Sequence, residues 1–333
     1  MSTQSLGQYL HGPKDLRLQS QPLSPPAEDE VQIAIRSTTL CGSDLHYYQH
    51  FRNGTILVRE PLCLGHESAG EVIGLGSKAE QLNPTLSIGA KVALEVGVPC
   101  ENCDLCSKDR YNICPNLRFR SSGSKFPHYQ GTLQERLNHP ARWVHKLPDD
   151  LDYDIGALLE PLAVAIHAVR RIQAPSQPDT WNCLIFGAGA VGLLCAAAAR
   201  AEGCKNVVMA DIDHGRLQFA LKHGFASAIY LVAGKRPTSL EANKDVAREI
   251  EKVKLPDGSA IGKMDAVLEC TGVESCLQAS IYVGPSFPTD SFGRGNVNKN
   301  VRRPDLEGVS CSLVWGSLTI LYRYPKPFRE RLT

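Results

Sequence analysis

The second half of the chain takes its architecture from the stretch Asn182-Cys183-Leu184-Ile185-Phe186-Gly187-Ala188-Gly189-Ala190-Val191-Gly192. A short apolar run leads into glycines spaced as G-x-G-x-x-G, and an apolar helical segment, Leu193 to Ala201, comes next. In this order Gly187 permits a tight turn, Gly189 lets the backbone approach a pyrophosphate, and Gly192 brings helix and strand close together. The stretch therefore predicts a dinucleotide site; the alternative is that the glycines serve only close packing.

An acidic residue comes after the glycine turn where a nucleotide site needs one. Asp211 lies 19 residues after Gly192, at the end of the next predicted strand, Lys205 to Ala210. Its carboxylate can accept hydrogen bonds from both hydroxyls of an adenosine ribose, and its charge would repel a 2′-phosphate. The N-terminus of the helix predicted over Leu193 to Ala201 would face the phosphates. NAD is therefore predicted in preference to NADP.

Strands and helices alternate through the rest of this half. Further strands are predicted at Ala228 to Val232 and Met264 to Glu269, with a charged helix over Leu240 to Val253 between them. Leu159 to Val169, with Pro161 near its start, is predicted to be a linking helix. The pattern predicts the α/β class with a doubly wound parallel sheet.

The first 150 residues are predicted to be mostly β. Val31 to Arg36 and Ala90 to Val96 are rich in apolar and β-branched residues, with glycine and proline between such runs. No helical period is visible before Asp154. We expect a compact, irregular β domain over residues 1–157 and a nucleotide-binding domain over residues 158–282. An atypical tail over residues 283–333 is a candidate for disorder.

Three short motifs carry potential metal ligands. Cys41-Gly42-Ser43-Asp44-Leu45-His46 and Gly65-His66-Glu67 lie in the first half, and Leu159-Glu160-Pro161 lies about a hundred residues later. Together they offer a thiolate, an imidazole and two carboxylates, the mixture that a catalytic zinc ion with a displaceable water uses.

A second metal site is predicted from cysteine spacing. The chain has 12 cysteines, and a loop contains the pattern C-x2-C-x2-C-x7-C, formed by Cys100, Cys103, Cys106 and Cys114. Thiolates at this spacing can converge on one tetrahedral ion, which predicts a structural zinc. The alternative is a coincidence of spacing.

Composition excludes several classes of function. Basic residues number 36 against 35 acidic ones, giving a net charge of +1, and 43% of residues are hydrophobic. Nothing in this balance favours nucleic acid or a membrane surface as partner. The N-terminal residues lack the apolar stretch of a secretory signal, so we expect a cytoplasmic protein that acts on a small molecule.

The ordered motifs resemble a known enzyme family. C-G-S-D-L-H, G-H-E, the cysteine loop, L-E-P-L, G-A-G-A-V-G and E-C-T-G are similar to those of the zinc-dependent medium-chain dehydrogenases, whose first domain is GroES-like. Glu67 and Glu160, with Tyr47-Tyr48 after His46, resemble the sorbitol dehydrogenase branch, closest to fungal sorbitol and xylitol dehydrogenases. The resemblance covers the chain from about Gly7 to about Tyr282.

The resemblance implies roles for the metal-site residues. Cys41, His66 and Glu67 would hold the catalytic zinc, with Glu160 as fourth ligand or bound through water. Separately, Ser43 and His46 match a proton relay, and Tyr47 and Phe119 match positions lining the substrate pocket. Asp211, Ile212 and Arg216 match positions around the adenosine half of NAD. The alternatives are that Tyr47 and Phe119 are ordinary core aromatics and that His46 is a surface histidine.

The implied activity is NAD- and zinc-dependent oxidation of a sorbitol-like polyol to a ketose. A xylitol or L-arabinitol dehydrogenase is a close alternative, and a truncated, non-catalytic zinc-binding homologue is a third.

The last fifty residues depart from the family pattern. Residues 284–308 are rich in Gly, Pro, Asn and Arg, one apolar run spans Val309 to Tyr322, and Pro325 and Pro327 prevent its extension. We therefore expect the sheet to stop at the Met264 strand. The family suggests a homotetramer, an expectation weakened by the loss of dimer-forming strands.

Overall fold

The computed structural model describes residues 3–172, 179–232, 239–283, 310–315 and 318–323. The chain divides into two units, Met1–Glu160 and Pro161–Thr333. Within the described ranges, no helix has both the length and the apolar character needed to cross a bilayer. Most of the predicted tail lies outside the described residues, so its disorder stays a prediction.

The first unit is built mainly of strands. Its elements are β1 (Thr3–Gly12), β2 (Asp15–Leu23), β3 (Glu30–Thr39), α1 (Gly42–His50), β4 (Arg52–Asn53), β5 (Ile56–Leu57), β6 (Leu62–Cys63), β7 (Glu67–Leu75), α2 (Ala79–Leu82), β8 (Lys91–Leu94), β9 (Gly97–Val98), β10 (Arg118–Phe119), β11 (Arg136–Pro140), β12 (Val144–Lys146) and α3 (Tyr153–Ala157).

An antiparallel sheet in the order β11-β3-β7-β8-β12 forms the centre of this unit. Apolar residues that alternate along its strands make one core; they include Val31, Ile33, Val72, Val92 and Leu137. Burial of these β-branched and leucine side chains holds the strands in register. The unit confirms the expectation of a β fold in the first half.

Two helices of this unit, α1 and α2, lie before Asp154, where the sequence shows no helical period. The metal motif that begins at Cys41 continues into α1, where only Asp44 and Tyr47 are buried. So few buried positions leave no helical period to detect. Local capping holds the helix instead: Asp44 accepts a hydrogen bond from the Cys41 N–H, and Phe51 ends the helix with a left-handed φ of 54°.

The second unit alternates strands and helices. Its elements are α4 (Leu159–Arg171), which starts just before the unit boundary, β13 (Trp181–Phe186), α5 (Ala190–Ala201), β14 (Cys204–Asp211), α6 (His214–Lys222), β15 (Ala228–Leu231), α7 (Leu240–Glu251), β16 (Ala266–Glu269), α8 (Glu274–Val283), β17 (Ser310–Trp315) and β18 (Leu318–Arg323).

Helices cover both faces of its sheet, which runs in the order β15-β14-β13-β16-β17-β18. Along β13, Cys183 and Ile185 pack in one core with residues of α4, α5 and α6. Leu184 and Phe186 alternate with them and pack in a second core with residues of α7 and α8. This confirms the predicted doubly wound parallel sheet.

The sheet does not stop at the Met264 strand, contrary to our expectation. β17 pairs in parallel with β16, and β18 returns antiparallel along β17 from Trp315 opposite Leu318 to Ser310 opposite Arg323. Backbone hydrogen bonding along the apolar run therefore supplies two strands beyond β16, although their sequence lacks the family motifs. Pairing of the β16 edge removes a row of unpaired peptide groups.

Candidate metal and nucleotide sites

Two loops of the first unit bring potential metal ligands together. Cys41 lies at the N-terminus of α1, directly after β3, and His66 and Glu67 lie where β7 begins. One ligand atom from each of Cys41, His66 and Glu67 falls within 4.8 Å of the others, and His66 and Glu67 are buried. Pairing of β3 with β7 produces this convergence.

Asp44 ties the two loops together, a function that sequence reasoning missed. Its Oδ2 accepts from the Cys41 N–H at 3.0 Å, and its Oδ1 accepts from the Gly65 N–H and the Ser121 hydroxyl, each at 3.0 Å. The Cys41 N–H belongs to one loop with a potential metal ligand, and the Gly65 N–H belongs to the other. The Asp44 carboxylate therefore fixes the distance between the two loops. The three-residue spacing from Cys41 to Asp44 resembles that of a capping box and was the available signal.

The electrostatics of this cluster suit a bound cation. Burial opposes protonation of His66, but Asp44 and Cys41 outweigh it and raise the His66 pKa to about 11. Burial would raise the pKa of Asp44, yet His66 and the backbone N–H groups of Gly65 and Cys41 lower it. Two carboxyl groups and a thiol therefore lie around one imidazole, and a divalent ion at this place can balance their charge.

The histidine also has spare ligand capacity. His66 Nδ1 is buried without a hydrogen-bond partner among the described residues and lies 3.7 Å from Asp44 Oδ1, too far for a hydrogen bond. A thiolate, an imidazole and a carboxylate leave a fourth tetrahedral position, as a catalytic zinc requires. The donor set fits zinc.

Glu160 lies near this cluster without joining it. It is half-buried at the start of α4, and its carboxylate is not one of the ligand atoms that converge within 4.8 Å. Burial raises its pKa to about 7, with His66 lowering it and Glu67 and Asp44 raising it further. The Glu160 carboxyl is therefore close enough to His66, Glu67 and Asp44 to interact with them electrostatically. Its role as fourth ligand, direct or through water, stays a prediction.

The predicted relay and pocket residues take different positions. Ser43 is half-buried and His46 is exposed one helical turn later on α1, where its ring stacks on His50 with centroids 6.2 Å apart. Phe119 lies beside the metal ligands, with its ring centroid 5.4 Å from that of His66. Tyr47 is buried in a core with Leu10 and neighbouring side chains, the position of a packing residue. The functional roles of all these residues stay predictions.

The four loop cysteines form the second metal group. Their ligand atoms converge within 4.8 Å, with sulfur separations of 3.5 Å for Cys103 to Cys106, 3.8 Å for Cys103 to Cys114 and 3.5 Å for Cys114 to Cys100. A tetrahedron with Zn–S bonds of about 2.3 Å has edges of about 3.8 Å, whereas a disulfide is about 2.05 Å long. The cysteines are free thiols whose sulfur separations fit a tetrahedral zinc site, and their role as zinc ligands stays a prediction.

The glycine turn of the second unit has the predicted geometry. Gly187 has a φ of 99°, which disfavours other residues, and a Cβ on Gly192 would lie 1.9 Å from the Gly187 carbonyl oxygen. A Cβ on Gly189 would meet no protein atom within 4 Å. The turn is therefore closed where α5 packs and open beside Gly189, as a phosphate cradle must be.

Asp211 is held at the end of β14 close to this turn. Its Oδ2 accepts from the Ala188 N–H at 2.6 Å, and its Oδ1 accepts from the Asp213 N–H at 2.9 Å. Ile212 and Arg216 are exposed beyond it, and the Arg216 N–H donates to Asp213 at the start of α6. Val191 is half-buried and packs on the core of this unit. The arrangement fits a dinucleotide, while the individual contacts stay predictions.

Known proteins match the chain over most of its length. The alcohol dehydrogenase GroES-like domain family matches residues 27–149. A probable D-xylulose reductase A of Aspergillus terreus is 36% identical over 90% of this chain and 79% of its own length. Sorbitol dehydrogenase of Bos taurus is 37% identical over 92% of this chain and 82% of its own length.

Solved structures agree in fold. L-Idonate 5-dehydrogenase from Escherichia coli is 27% identical, with a TM-score of 0.70 over 85% of this chain and 74% of that one. A zinc-binding dehydrogenase from Sinorhizobium meliloti, bound to NADP, is 25% identical, with a TM-score of 0.69 over 85% of this chain and 74% of that one. The chain is therefore an oxidoreductase that belongs to the zinc-dependent medium-chain dehydrogenase/reductase family, in its sorbitol (polyol) dehydrogenase branch.

Proposed function

We propose that the chain is an NAD- and zinc-dependent polyol dehydrogenase that oxidises a secondary hydroxyl of a sorbitol-like sugar alcohol to a ketone. The observation that carries this proposal is the convergence of Cys41, His66 and Glu67 within 4.8 Å, with one coordination position left for substrate. When bound, zinc acts as a Lewis acid on the substrate hydroxyl, and NAD accepts the hydride.

The protein residues orient the substrate and move its proton. Cys41, His66 and Glu67 would hold the zinc, and Asp44 holds their loops at a fixed separation. Phe119 would cover one side of the substrate and exclude water, since its ring lies 5.4 Å from that of His66.

The substrate proton needs a route to solvent. Ser43 is half-buried and His46 is exposed on the same helix, so a proton can pass from the serine hydroxyl to the imidazole and then to water. These residues supply acid–base chemistry on the first unit.

The nucleotide would bind at the open side of the glycine turn. Gly189 leaves room for the pyrophosphate, and the first N–H groups of α5 would donate hydrogen bonds to the phosphates. Asp211 is held beside this turn by the Ala188 N–H, where its carboxylate would accept hydrogen bonds from a ribose hydroxyl pair and its charge would favour NAD over NADP.

A pentitol is the second candidate substrate. Relatives named D-xylulose reductase are 34 to 36% identical to this chain, as similar as the sorbitol dehydrogenases at 35 to 37%. Xylitol and L-arabinitol therefore belong in the substrate comparison. The third alternative, a truncated non-catalytic homologue, loses support because β17 and β18 extend the sheet.

The test follows NADH absorbance with sorbitol, xylitol and L-arabinitol, each with NAD or NADP. We expect turnover with at least one polyol and NAD, and loss of turnover in Cys41→Ala. Cys63→Ala is the matched control, because Cys63 is a buried thiol of the same unit outside both metal groups. No polyol-dependent NADH formation by a zinc-loaded chain would refute the proposal.

A further inference from the structure

A threonine beside the catalytic ligands binds one of them directly. The Thr39 hydroxyl donates a hydrogen bond to Oε2 of the Glu67 carboxylate. Thr39 is the last residue of β3, two positions before Cys41, and Glu67 is the first residue of β7. The contact therefore joins the strand end that leads to one metal ligand with the side chain of another.

The pairing of the two strands places this hydroxyl opposite Glu67. The β3–β7 ladder pairs Thr39 with Glu67 and Thr38 with Ser68, after a register shift between Ile35 and Ser37. In that shift Arg36 is the extra residue of a β-bulge, which reverses the face on which each later residue of β3 lies. Without the bulge, the residue facing Glu67 would not be Thr39.

The neighbouring threonine has a different environment. The Thr38 hydroxyl lies 2.6 Å from the Ser68 hydroxyl and 3.2 Å from the Thr132 hydroxyl. These three hydroxyls form hydrogen bonds with one another, and the Thr38 hydroxyl also donates to the Glu67 carbonyl oxygen at 3.2 Å. Thr38 therefore supports the sheet without touching the Glu67 carboxylate, and Thr39 is the residue aimed at the metal ligand.

We propose that Thr39 is a positioning residue for zinc binding, which orients the Glu67 carboxylate so that one oxygen is presented to the ion. The inference rests on the proposed function in one respect, the assignment of Glu67 as a zinc ligand. A hydrogen bond to one oxygen restricts rotation of the carboxylate plane, so less freedom is lost when the metal binds.

The test compares zinc affinity in three variants of the full chain. Thr39→Val removes the hydroxyl with little change in shape, Thr39→Ser keeps it, and Thr38→Val removes the adjacent hydroxyl from the same strand. Competition with a chromophoric chelator measures the affinity for the zinc ion that Cys41, His66 and Glu67 would hold. The ion at the four cysteines serves as an internal reference. Thermal unfolding of the metal-free proteins reports any general structural damage.

We expect Thr39→Val to bind the zinc ion of the Glu67 site about 10- to 100-fold less tightly, with binding of the four-cysteine ion unchanged. Thr39→Ser should restore wild-type affinity, and Thr38→Val should change the melting temperature without changing zinc affinity. Equal zinc affinity in Thr39→Val and the wild type would overturn the inference. A wild-type chain that binds only the four-cysteine ion would overturn both this inference and the proposed catalytic zinc, so the two failures are distinguishable.

Discussion

The two glycines of the nucleotide turn should respond in opposite ways to the same substitution. Gly189 precedes α5 with a φ of −82° and a ψ of −174°, angles open to alanine, and an added Cβ would meet no protein atom within 4 Å. Gly189→Ala should therefore raise stability by about 0.4–1 kcal/mol, because the unfolded chain loses conformational freedom. Such a gain corresponds to a melting temperature about 1–3 °C higher.

The same methyl group should weaken nucleotide binding. It would occupy the space beside the backbone that the pyrophosphate approaches, and overlap of this kind costs about 1–3 kcal/mol. NAD affinity should then fall about 5- to 150-fold. Gly192→Ala should instead lower stability by at least about 1–3 kcal/mol, since its Cβ would lie 1.9 Å from the Gly187 carbonyl oxygen.

Thermal unfolding without ligand and calorimetric titration with NAD separate the two effects. The predicted result is a Gly189→Ala protein that is as stable as the wild type or more so and binds NAD poorly. Wild-type NAD affinity in this variant would show that Gly189 does not border the nucleotide. Wild-type stability in Gly192→Ala would refute the close approach of α5 to the turn.

Three further predictions concern the metals, the cofactor and pH. Metal analysis should find two zinc ions in the wild type and one in Cys103→Ser, with lower stability; loss of both ions would show that the sites depend on each other. Asp211→Ser should bind NAD more weakly and discriminate less against NADP, because the carboxylate charge disappears; titration showing unchanged NAD affinity would contradict the ribose assignment. Burial and the Arg120 charge hold the pKa of His139 well below its usual value. The His139 ring therefore stays neutral in the native state, whereas in the unfolded chain it binds a proton below pH ~6.5. Stability should therefore fall with decreasing pH by up to about 1.4 kcal/mol per unit, and His139→Gln should remove this slope in acid denaturation. His145→Gln is its counterpart: Glu95 raises the pKa of His145, so the stability it contributes is present at low pH and lost as pH rises.

Predictions of secondary structure that depended on local spacing agree with the fold, and the cysteine sulfurs converge, while the roles of the site residues stay predictions. The glycine turn lies between β13 and α5, and the predicted strand Lys205 to Ala210 falls within β14. The four cysteines lie within 15 residues of one another and converge as expected. Their partners are close in the chain, so residue type and spacing carry the information.

Features that depend on distant partners escaped prediction. α1 has too few buried positions to show a helical period, and Asp44 joins it to Gly65 and Ser121, which are distant in the chain. The last two strands were missed because an apolar run does not reveal whether an edge is available to pair with it.

Residue types and their order along the chain were enough to predict the doubly wound sheet, the glycine turn and, Glu160 apart, the two groups of potential metal donors that converge. The relation of Asp44 to both ligand loops and of Thr39 to Glu67 required the folded chain. Asp44 reaches Gly65 across 21 residues, and Thr39 faces Glu67 across 28. A bulge in β3 sets which side chains meet there, and a one-residue change of register would turn Thr39 to the opposite face. Because side-chain direction alternates along a strand, only the final pairing of β3 with β7 selects the hydroxyl that contacts the Glu67 carboxylate.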